Sequence, residues 1–216
     1  MGSLWWFLCA IIALFCWSGS DLFSKIGCRD EDDKTSHLKM VVAVGVVMGL
    51  HAAYEIFIGG VDINFDVILR YLPVSLLYIS SMTIGYLGLR YIELSISSPI
   101  CNSSGAMVAV LIFATKGIGE DCPPAALVAV ALVSIGVISL GITEAREDEE
   151  LRAARQSAAN RKYAKSWIAI AIPVVYCLLD ALGGYADSRV LETLDESSAN
   201  VAYELTFLFT AAVCAV

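Results

Sequence analysis

Three features of the sequence predict an all-α integral membrane protein. Hydrophobic residues fill 58% of its 216 positions, well above the roughly 45–50% of a soluble domain. The charges gather in blocks and leave apolar runs about 20 residues long, the length at which a helix crosses a bilayer while satisfying its own backbone in lipid. Barrel strands would instead alternate over about ten residues. The pattern also repeats. A shift of 161 positions lays Trp6 on Trp167 and Cys16 on Cys177, and carries the second apolar run, from His37, onto the last, from Ser198. Such an echo marks an internal repeat.

Seven spans follow in order. The first covers 4–26, with Trp5 and Trp6 as interfacial anchors. It lacks a basic leader and is too long for a signal peptide. Position 6 holds no Ser or Thr, so the initial Met-Gly is not a myristoylation signal. The loop 28–36 carries Asp30, Glu31, Asp32 and Asp33. Span two covers 38–59 and ends at Gly59-Gly60. Span three covers 69–89, closed by Arg90, and span four covers 94–115. After the turn 116–121, Pro123-Pro124 opens span five, which runs to 142; proline costs little in a first helical turn. The segment 143–165 is polar, free of Gly and Pro and rich in Ala, Glu and Arg, with Asp148 and Arg152 one turn apart. It is expected to be a solvated linker helix. Span six covers 166–186 and span seven 199–216. The chain stops inside an apolar element, so a fragment of a longer protein is expected.

Loop charge gives an orientation. The loops one-two, three-four and five-six hold eleven of the fourteen Lys and Arg, which places the linker in the cytoplasm and the N-terminus outside. The net charge of −8 comes from acidic loops and points to no nucleic-acid partner. The seven cysteines show no metal-ligand or CxxC spacing; those in apolar runs act as small hydrophobes. No P-loop, HExxH or GxSxG motif occurs, so ATP hydrolysis by a P-loop, zincin chemistry and nucleophile-elbow hydrolysis have no support. No catalytic residue, metal ligand or cofactor is assigned.

Ionisable residues inside spans are costly and are default candidates for function. His51 and Glu55 lie one turn apart on span two, roughly 4 and 10 Å from its middle. Asp180 in span six and Glu204 in span seven lie roughly 6 and 7 Å from theirs, toward the same side. Four such groups in one half of the bilayer suit a bound cation or a proton relay. Glu55 and Glu204 also read as helix ends at the interface. Asp21, roughly 9 Å off centre, has Lys25 one turn on and is expected to pair with it. Near mid-membrane, span four brings Asn102, Ser103 and Ser104, and span three Tyr78, Ser80, Ser81 and Thr83. These either pack helices closely or line a watered cavity, with Tyr78 and Asn102 the foremost ligand contacts.

The residues resemble the EamA-like family of the drug/metabolite transporter superfamily. Trp17-Ser18-Gly19 with Lys25 is similar to that family's Trp-Gly and later basic residue. Gly119-Glu120 resembles its Gly-Glu signature, and Gly136-Val137 with Gly141 its Gly-rich fifth helix. The family often has a proline late in helix four, where this chain has Gly105 to Met107 and an earlier Pro99. The resemblance implies ten helices in two inverted five-helix repeats around a substrate cavity. On that basis 1–142 is the first repeat, 143–165 a linker and 166–216 the first two helices of the second. It also implies an N-terminus in the cytoplasm, opposite to the charge count. Glu120 would then be structural.

The expected activity is secondary transport of a small metabolite or drug by alternating access, proton- or cation-coupled, in a multi-pass plasma membrane protein taken as bacterial. The partners expected are the lipid bilayer and a small-molecule substrate, with a homodimer admissible. A membrane-integral enzyme using His51 and Glu55 as acid and base is one alternative. A non-transporting scaffold that docks through the linker is another.

Overall fold

The computed structural model describes residues 2–28, 30, 33–92, 94–119, 123–145 and 168–216. Among these every regular element is helical. In chain order they are α1 (Gly2–Gly27), α2 (Ser36–Tyr54) with a π turn (Glu55–Gly59), α3 (Phe65–Tyr91), α4 (Leu94–Cys101), α5 (Ser104–Lys116), α6 (Pro124–Ala145), α7 (Ile168–Val190) and α8 (Glu196–Cys214). Of the expected linker helix 143–165, residues 143–145 end α6 and the rest, with Asp148 and Arg152, lies outside the described residues, as do Glu120 and Trp167.

Four helical stretches are long and apolar enough to cross a membrane: Phe7–Gly27, Ser36–Gly59, Phe65–Tyr91 and Ser97–Lys116. The described apolar part of α6, Pro124–Ser139, is shorter. Helices α7 and α8 are not among the four. They carry Asp180, Asp187, Arg189, Glu196 and Glu204, and both pack against α3.

Two intimate pairs, α3 with α7 and α2 with α8, build the centre, and α8 also packs on α3. Lipid tails give no hydrophobic drive between helices, so close packing through small residues must hold them. A Cβ on Gly45 of α2 would overlap that of Ala211 and lie 2.9 Å from the Phe207 carbonyl oxygen. Gly85 and Gly88 of α3 likewise receive Tyr176 and Ile172 of α7, and Gly183 of α7 receives the Tyr78 ring. Tyr203 of α8 stacks edge-on between Tyr78 and Phe207, at 5.8 and 5.9 Å.

Side chains cap the helices where the chain turns back. Asn64 accepts from the Val67 amide at 3.0 Å to start α3, and Asp195 does the same for Ser198 and α8. Ser198 also donates to the Asp62 carbonyl at 3.1 Å, tying the two turns together. At the end of the π turn Gly60 sits at φ 72°, ψ 25°, a left-handed conformation that only glycine adopts without cost.

Span four departs from expectation. It is two helices, α4 and α5, interrupted at Asn102-Ser103. Pro99 lacks the amide that would continue the ladder. Downstream, Ser103 turns the chain with its amide reaching only the Ile100 carbonyl, at 3.2 Å. Side chains add donors at the turn: Ser103 Oγ donates to the Ile100 carbonyl at 2.7 Å, and the Asn102 side-chain amide donates at 2.9 Å to the Ser98 carbonyl, which the Asn102 backbone amide also reaches at 2.8 Å.

Candidate functional site

The interruption in span four borders a cavity of about 300 Å³ among α1, α2, α3, α4, α7 and α8. Its wall combines aromatic and sulfur-bearing side chains, among them Tyr86, Tyr176, Tyr203, Met48 and Met82, with the polar atoms of Asp21, Asn102 and four serines, Ser20, Ser24, Ser97 and Ser98. Asp21 is held from α4. Its Oδ2 accepts from Ser98 Oγ at 2.6 Å and from the Asn102 side-chain amide at 3.4 Å. The two donors are one turn apart and bond each other at 2.9 Å.

Lys25, the expected partner of Asp21, sends its ammonium elsewhere. It donates to the carbonyl oxygens of Leu89 and of Ile92, the latter at 2.7 Å. These end α3, where exposed carbonyls carry the negative end of the helix dipole. The i,i+4 spacing suggested a local pair; the end of α3 offers the ammonium two acceptors at once.

The six candidate residues fall into three groups. His51, Glu55 and Glu204 come together. His51 Nδ1 lies 2.8 Å from Glu204 Oε1, and Nε2 lies 3.7 Å from Glu55 Oε1. The first is a hydrogen bond, in which a carboxylate can only accept; the second is an ion-pair distance too long for one. Glu204 is buried, and its second oxygen, Oε2, has no partner among the described residues. Glu55 opens the π turn, a helix defect found often at functional sites.

Asp180 and Tyr78 form the second group, on the α3–α7 seam. Asp180 accepts from Ser81 Oγ at 3.4 Å and from Ser104, the first residue after the interruption. Tyr78 lies over Gly183, one turn further along α7. Asn102 makes the third group with Asp21 and Ser98 and is itself exposed.

Sequence reasoning missed Asp21 as a cavity residue and missed Tyr86, Tyr176 and Tyr203 altogether. It also missed the bond from Tyr71 Oη to Asp187 Oδ1, 2.6 Å long, between α3 and α7. The one available signal was depth, since Asp21 sits well inside its span. The tyrosines gave none, because aromatic residues in apolar helices are ordinary core.

Comparison of the chain with protein-family models, with curated proteins and with solved structures finds no match.

Proposed function

We propose that this chain is a secondary transporter that moves a small metabolite or drug across a plasma membrane by alternating access. The observation that carries this reading is the interrupted helix opening on a cavity. Asn102-Ser103 falls roughly 6 Å from the middle of the stretch Ser97–Lys116. Non-helical backbone at that depth is tolerated where it is enclosed by protein or lines a cavity, and broken helices at the midplane form the binding sites of many secondary transporters. Ionisable groups around the same core add to it. Asp180 adjoins the interruption through Ser104, and the His51–Glu204 pair has the composition of a proton relay.

The two-repeat architecture of the EamA-like transporters is part of the proposal. The helices α2 and α8 are each 19 residues long and begin 160 positions apart, close to the shift that aligns the tryptophans and cysteines. Five spans per copy invert the second relative to the first.

The test is flux through proteoliposomes, read as substrate-dependent current on a panel of small metabolites and drugs with and without a pH gradient. Wild-type protein is expected to give saturable flux for at least one solute. Asp180→Asn is expected to remove it while the protein stays folded by thermal unfolding in detergent. Wild-type flux in Asp180→Asn removes that residue from the mechanism. No flux above empty vesicles for any solute overturns the transporter reading.

A further inference from the structure

The cavity has an unusual electrostatic composition. Among the described residues that line it, Asp21 is the only charged side chain, and no Lys, Arg or His is present. Its neighbours on the wall are Trp17, Tyr86, Tyr176 and Tyr203, with the thioethers of Met48 and Met82. Aromatic faces carry negative quadrupole density and attract cations, most of all weakly hydrated organic ones. Ser98 and Asn102 both donate to Oδ2 of Asp21. A carboxylate has about four lone-pair sites, so acceptor capacity is left for a positive ligand. Among the described lining residues no positive charge offsets Asp21 for an anionic ligand, and the nearby Lys25 ammonium is engaged by the Leu89 and Ile92 carbonyls; Ser20, Ser24, Ser97, Ser98 and Asn102 add only neutral polar groups to the wall.

A second groove, of about 530 Å³, runs along α1 past Ala10, Ala13 and Leu14 and shares Trp17, Asp21, Ser98 and Asn102 with the cavity. Ala13, Leu14 and Trp17 are exposed, so this groove is open along the outer side of α1. A ligand with an apolar body can partition into the hydrocarbon and reach Asp21 along it. A strongly hydrated ion such as Na⁺ gains nothing from that route.

We infer that the cavity beneath α1 binds a small organic cation with an apolar body, its positive centre set against Asp21 and the surrounding aromatic rings. The cavity volume of about 300 Å³ is that of a small-ligand pocket. This rests on the reading of the cavity as the transport site, and names the substrate class it takes.

The test is equilibrium binding of radiolabelled benzyltrimethylammonium to the purified full chain in detergent, with neopentylbenzene, its uncharged carbon isostere, as competitor. Saturable binding is expected, with the isostere competing at least tenfold more weakly. Asp21→Asn is expected to weaken binding at least tenfold. Tyr176→Leu is expected to weaken it about tenfold, while Tyr176→Phe, which keeps the ring, stays within about twofold. The inference is overturned if no saturable binding is found up to millimolar cation. Equal competition by the isostere, or wild-type binding by a folded Asp21→Asn protein, overturns it too. Should Asp21→Asn fail to fold, the Tyr176 pair decides: binding alike in both variants refutes the role of the aromatic wall. Binding needs no flux, so the two readings fail separately. Cation binding without movement of any solute leaves this inference standing and removes the transporter; flux of another solute without cation binding does the reverse.

Discussion

Replacing Lys25 by methionine should release α1 from the bundle. The helix is poorly attached by packing: 6% of the apolar stretch Phe7–Gly27 is buried, against 22% for Ser36–Gly59 and 28% for Phe65–Tyr91. Its packing is concentrated at its C-terminal end, where Ser24 and Cys28 are buried and Gly27 meets Met40, and the main polar contact there is the Lys25 ammonium on the Leu89 and Ile92 carbonyls. Leu89 and Ile92 are 7% and 2% exposed, so carbonyls deprived of Lys25 are not readily rehydrated. A hydrogen bond from a charged donor contributes about 1.5–3 kcal/mol. Two such bonds, less the desolvation of the ammonium that methionine avoids, leave about 2–4 kcal/mol, roughly a 30- to 1,000-fold shift toward the undocked state. Cys28 reports it. The thiol is fully buried at the end of α1, and burial pushes its pKa up to about 11 while Lys25 pulls the other way. Removing the Lys25 charge would by itself slow thiolate chemistry, so faster labelling can come only from opening. In a variant whose sole cysteine is Cys28, Lys25→Met should raise the rate of methanethiosulfonate labelling at least 30-fold. A rate within threefold of the parent would refute the assignment of Lys25 as the clasp.

Three further outcomes are expected. Gly45→Ala should destabilise the protein by about 1–3 kcal/mol despite alanine's better helix propensity, because the backbone carbonyl of Phe207 cannot yield to the new methyl; Gly136→Ala, where nothing lies within 4 Å, should stabilise by up to about 1 kcal/mol. Chemical unfolding in mixed micelles ranks the two, and equal effects would contradict the crossing of α2 and α8. Tyr71→Phe should cost about 1.5–3 kcal/mol by removing the charge-assisted bond to Asp187, and a change under about 0.5 kcal/mol in the same assay would contradict it. In the loop before α2, hydrogen bonds from Lys39 and then Thr35 hold the Asp33 carboxyl down to about 2. A depressed folded pKa means its contribution is present above the unfolded value of about 3.9 and is lost as pH falls through about 2. Carboxyl-carbon NMR should place the Asp33 midpoint near 2, and a midpoint near 4 would show that the Lys39 contact does not form.

The helices were legible because lipid imposes one rule, a long apolar run, that a sequence displays directly. Boundaries for spans one, two and five lie within a few residues of those observed. Span four was less legible because its run stays apolar across the interruption. The local sign was there, Pro99 followed by Asn102-Ser103-Ser104-Gly105, but small polar residues in a span serve helix packing as often as they line a cavity. The polar groups show the same limit. Depth put His51 and Glu204 in one half of the bilayer, and the structure joins them at 2.8 Å across 153 positions of chain. Depth said nothing of rotation about the helix axis, so it could not separate Asn102, which turns to α1, from Tyr78, which turns to α7. Asp21 and Lys25 failed for the opposite reason. Their spacing offered a complete local answer, and only the tertiary position of the end of α3 supplies a competing one.

The division between apolar and polar attachment bears on how such a bundle could move. The pairs α2–α8 and α3–α7 are held by backbone approach over glycine, a close-packed contact that resists sliding. The seam with α1 instead carries discrete polar contacts, Lys25 on α3 and Asp21 on α4, with a cavity between them in place of packed side chains. Local opening is cheapest where few buried contacts are lost. In this bundle that place also holds Asp21, whose carboxylate Ser98 and Asn102 already engage. A cation that draws the Asp21 carboxylate away from α4 therefore weakens one of the polar attachments of α1. This couples occupancy to the position of α1 through a single side chain, and the coupling is measurable: benzyltrimethylammonium should change the labelling rate of Cys28 in the wild-type clasp, and should leave it unchanged when Asp21 is asparagine.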